Sequence, residues 1–72
     1  MTTLAQQYGF TDAQLRAIAL RAVDLLEAGD PAAACTLFEG LLVLAPGSAA
    51  FREGLTVARR ELAALPAEAE AA

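Results

Sequence analysis

The chain has 72 residues, enough for one small domain. Forty-one are apolar, nineteen of them Ala and twelve Leu, and nine acids against five Arg leave a net charge of -4, which argues against nucleic-acid binding and against intrinsic disorder. A single Cys and no His exclude an internal disulfide, a zinc site of the usual kind and any His-dependent nucleophilic device.

Residues 1–10 read as an N-terminal arm, polar apart from Leu4, Tyr8 and Phe10, with at most a frayed turn. They lack the basic start and apolar run of a secretory leader. The longest charge-free apolar stretch, Gly40 to Ala50, is too short for the ~20 residues of a membrane span. A cytoplasmic protein without membrane insertion is the expectation.

The first helix starts at Thr11-Asp12-Ala13-Gln14, which fits a capping box, with Phe10 and Leu15 at the positions of a hydrophobic staple. It should run to about Ala28, with Gly29 as the left-handed residue after its end. At ~100° per residue, Leu15, Ile18, Ala22 and Leu25 share one face, while Leu20 falls in the middle of the polar arc. The second helix opens at Asp30-Pro31, a good N-cap followed by Pro at the first helical position, and stops before Pro46. Its apolar residues cover more than half the circumference, and Glu39 is its only charge after the cap. So wide an apolar surface needs cover on more than one side. Either it is the centre of a three-helix unit, or part of it (Cys35, Phe38 and Leu42) meets another chain. The third helix starts near Ser48 and ends by Leu65, before Pro66. Phe51, Leu55, Ala58 and Leu62 form its stripe, and Arg52, Arg59 and Arg60 stand outside it among Glu53 and Glu61. Residues 66–72 alternate Ala and Glu after Pro66 and read as a flexible tail.

The fold class is therefore all-α: a helical domain over 11–65 made of an antiparallel hairpin and a capping C-terminal helix. The hairpin resembles a tetratricopeptide repeat. Ile18, Ala22 and Leu25 stand at helix A places, and Ala34, Phe38 and Pro46 at helix B places, so Leu15 to Ser48 spans one 34-residue repeat. Arg21 takes a place where that pattern has Leu, and Leu41 one where a small residue is usual.

A longer resemblance runs through the third helix. Leu25-Leu26-Glu27-Ala28-Gly29-Asp30, Leu37-Phe38-Glu39-Gly40-Leu41-Leu42 and Phe51-Arg52-Glu53-Gly54-Leu55 look like the first repeat of bacterial type III secretion chaperones for translocator proteins. Members of that family carry about three repeats forming a concave groove for an extended peptide. This chain has length for one repeat and a cap, and a lone repeat cannot bury its own face. The resemblance thus implies a related role: a small chaperone or co-chaperone that pairs with another short helical protein or shields a secreted subunit. Candidate partner contacts are Leu20, Cys35, Phe38, Leu42 and Val43, with Arg52 and Arg59 at the rim. A homodimer or homo-oligomeric scaffold, built on the same apolar face, is the alternative. Neither reading calls for an enzyme, a cofactor or a metal. Cys35 lies on the apolar side of its helix, where the nearest charges are acidic and disfavour a thiolate.

Overall fold

The computed structural model describes residues 4–65, and the expected tail over 66–72 lies outside them. Four helices follow one another: α1 (Leu4–Gln7), α2 (Asp12–Glu27), α3 (Pro31–Leu44) and α4 (Ala49–Ala63). All of the regular structure among the described residues is helical.

The ends of the helices form where the local chemistry puts them. At the start of α2, the Thr11 backbone N–H donates to Gln14 Oε1 at 2.9 Å. The Gln14 N–H donates back to Thr11 Oγ1 at 3.1 Å, closing both halves of the capping box. Asp30 caps α3 through the Ala33 N–H, and Ser48 caps α4 through the Phe51 N–H, each at 3.2 Å. After α2, Gly29 takes a φ of +84°. The Gly29 N–H reaches the Leu26 carbonyl, and the Asp30 N–H reaches the Leu25 carbonyl at 2.8 Å. That double closure is a Schellman motif, which satisfies carbonyls the helix end would otherwise orphan.

The short connections make successive helices antiparallel neighbours. Helix α3 is the centre: it packs on α2 along one side and on α4 along another, while α2 and α4 barely meet. Two hairpins therefore share α3. Its wide apolar surface is used on both sides, as the first of the two sequence expectations has it.

The core is built from small side chains at the crossings and large ones between them. Ala22, Ala34 and Ala58 are completely enclosed, which lets the helix backbones approach closely. Leu15, Leu41, Leu55 and Phe38 fill the space between them. The α3–α4 contact has a specific lock. A Cβ added to Gly54 would fall within 2.9 Å of three carbons of the Phe38 ring, so the ring lies directly against the glycine backbone. No side chain but glycine's fits there without moving the ring.

One element differs from the sequence reading. The expected arm contains α1, and Ala5 is buried to 2% exposure. The helix is held from outside itself, by packing on α3 and by the turn at Gly9, whose φ is +81°. Period-based reading passes over so short a helix because it makes barely one turn.

Candidate functional site

The seven residues expected to meet a partner do not form one surface. Cys35 is 6% exposed and Phe38 3%, and both belong to the chain's own core. This corrects the expectation that they await another chain: the ring of Phe38 is already engaged by Gly54, and α4 supplies the cover. Leu42, one turn on from Phe38 along α3, is half-buried against the core. Leu20 is 60% exposed, on the face of α2 turned away from buried Leu15 and Ala22. Val43 is 64% exposed, on the face of α3 turned away from buried Ala34, Phe38 and Leu41. Arg52 and Arg59 are exposed on α4. Exposed Leu20 and Val43 thus belong to two different helices, each on the face turned from its own buried residues.

The structure brings a different set together. A groove of 210 Å³ runs between α2 and α3. Its walls are Phe10 from the α1–α2 connection, Ile18 from α2, and Thr36, Leu37, Gly40, Leu41 and Leu44 from α3. The lining is apolar except for Thr36, whose hydroxyl donates to the Ala32 carbonyl at 3.2 Å and so turns back on its own helix. Gly40 is the informative member. It lies in the interior of α3, where glycine weakens a helix by about 1 kcal/mol relative to alanine. Unlike Gly54, it has nothing within 4 Å of the position its Cβ would take. The internal packing therefore gives no reason for the absence of a side chain. Its effect is to leave the α3 backbone open to a close approach from outside.

A second cleft, of 350 Å³, lies where α2 and α4 begin and α3 ends, with Asp12, Arg16, Ala45, Ser48 and Phe51 among its walls. It mixes charges with apolar surface, and Ser48 already spends its hydroxyl on the cap of α4. Among the described residues, no group of three or more His, Cys, Asp or Glu is placed to hold a metal ion. Among these residues, likewise, no helix is long and apolar enough to cross a membrane.

Sequence reading counted Gly40 within the broad apolar arc of α3 but did not single out the groove. The available signal was a glycine in mid-helix. What it could not tell was which of the two mid-helix glycines, Gly40 or Gly54, has a partner ring within the chain.

Comparison with known protein families, with characterised proteins and with solved structures gave no match.

Proposed function

We propose that this protein is a non-catalytic interaction module that takes an apolar helical segment of another protein into the α2–α3 groove. The observation that carries the reading is the groove itself: apolar walls around a mid-helix glycine that no internal contact explains. Its 210 Å³ suits one or two large side chains, since a cavity of roughly 150 Å³ accepts a benzene ring. Such a site fits helix-in-groove recognition, in which anchors one or two turns apart insert from one face of an amphipathic helix.

The sequence resemblance to type III secretion chaperones supports a more specific form of this reading. The protein would be a small chaperone or co-chaperone in the bacterial cytoplasm that keeps a secreted subunit, or a short helical companion, from aggregating. Covering ~600 Å² of apolar surface gives on the order of 15 kcal/mol gross at ~25 cal/mol/Å². Association and ordering costs offset most of that, leaving exchangeable binding.

The test is co-expression with the short helical proteins encoded beside its gene, followed by titration of any that co-purify. A one-to-one complex that Gly40→Leu abolishes, with the helical content of the variant intact, is the expected result. A stable homodimer indifferent to every neighbour would replace this reading with the homo-oligomeric scaffold.

A further inference from the structure

We infer that residues 4–10 act as a strap at one end of the groove, seated on α3 in the free protein and displaced when a partner helix docks. The inference rests on the reading of the groove as a docking site. The four described residues of α1 are far below the ~12–15 at which an isolated helix is even marginal in water, so α1 depends on its seat. That seat is α3, the only helix it touches among the described residues. Its hold is slight. Ala5, with one methyl group, is its single buried side chain, while Leu4 and Tyr8 remain exposed.

The position of α1 follows from its turn. The Gly9 N–H donates to the Gln6 carbonyl at 3.2 Å, and the Phe10 N–H donates to the Ala5 carbonyl at 2.8 Å. This second Schellman closure ties α1 directly to Phe10, and Phe10 is a wall of the groove. A helix laid along α3 across Gly40 toward Leu44 therefore runs into the strap. Release of α1 frees the α3 surface under Ala5 and lets the Phe10 wall move. A groove with room for one or two anchors becomes a longer one. The strap is a local unit that can open without loss of the α2–α4 core, because Ala5 is its one member of that core and half-buried Phe10 only packs against the outside of it.

Gly9 allows the strap to be released without touching the groove. Its φ of +81° is costly for any β-branched residue, and nothing lies within 4 Å of its would-be Cβ. Gly9→Val should therefore raise the exchange rate of the Phe10 amide at least tenfold. The urea midpoint and the exchange of α2–α4 amides should hardly change. Binding of the dye 8-anilinonaphthalene-1-sulfonate should rise several-fold. Gly40→Leu, added to Gly9→Val, should remove that gain. Deletion of residues 2–9 makes the same comparison if the Phe10 amide stays protected in Gly9→Val. The strap is disproved if release brings no gain in dye binding, or if the gain survives Gly40→Leu. These readouts need no partner, so failure to find one would count against the proposed function while leaving the strap to be judged by exchange and dye.

Discussion

Two glycines in helix interiors carry opposite consequences. Gly54 lies against the Phe38 ring, and the smallest possible side chain would collide with it. Gly54→Ala should destabilise the fold by about 1–3 kcal/mol, the usual cost of overpacking, because the ring must leave a well-packed site. Gly40 faces open space, so Gly40→Ala should stabilise by about 0.5–1 kcal/mol through helix propensity and a less flexible unfolded chain. Urea denaturation followed by circular dichroism reads both signs, and a destabilising Gly40→Ala would mean that the groove is narrower than described. The same measurement tests the lock from its other side. Phe38→Ala should cost about 3–5 kcal/mol, since the ring is 3% exposed. It should also relieve the clash, so in a stabilising osmolyte such as trimethylamine N-oxide, which keeps the Phe38→Ala background folded, Gly54→Ala should lose most of its own cost. Full additivity of the two changes would place the ring elsewhere. Phe38 thus serves the fold from within.

At the scale of the element, the helix ends were legible because capping is local chemistry. Thr11 and Gln14 lie three residues apart and satisfy each other's backbone donors whatever the tertiary structure does. Thr11→Ala should therefore cost about 1 kcal/mol, and Gln14→Ala less, because it frees only the Thr11 N–H at an exposed end. A midpoint shift for Thr11→Ala no larger than for a control change at exposed Ala17 would show the box to be idle in solution. Asp30-Pro31, Ser48 and Gly29 were readable in the same way, and the structure starts α3 and α4 and closes α2 at those residues. Helix α1 was not, since it is too short to show a periodic pattern, and Gly9, which closes it as Gly29 closes α2, has no such pattern before it to end. The faces of α3 were legible only as a sum. Angular arithmetic places Cys35, Phe38 and Leu42 together, but not which neighbour covers them. That depends on where α4 crosses, and the crossing is set by a glycine ten or more positions away. The groove escaped for the same reason: its walls come from α2, α3 and the connection before α2, and only their packing makes them adjacent.

At the scale of the whole molecule, the shared helix decides how the protein comes apart. Helix α3 has a partner on two sides, and its partners barely touch one another. Detachment of α4 would bare Phe38, Leu42 and Cys35 at once and leave a lone hairpin. A domain below about 70–80 residues holds only ~3–5 kcal/mol, and a single helical repeat is not expected to stand alone. Loss of α4 should then bring down α2 and α3 with it. Cys35 is a built-in probe of this coupling, because it is buried in α3 and is the chain's only thiol. Its reaction with an aromatic disulfide reagent should be slow under native conditions and accelerate with urea. The slope should match that of global unfolding, since the opening that exposes the thiol exposes the whole core. The α1 amides should behave differently, with exchange nearly independent of urea, because the strap opens by itself. A shallow urea dependence at Cys35 would instead mean that α4 leaves α3 as a separate unit. The apolar surface offered to a partner would then include the Phe38 side of α3, and the division between an internal α4 contact and an external groove would have to be redrawn.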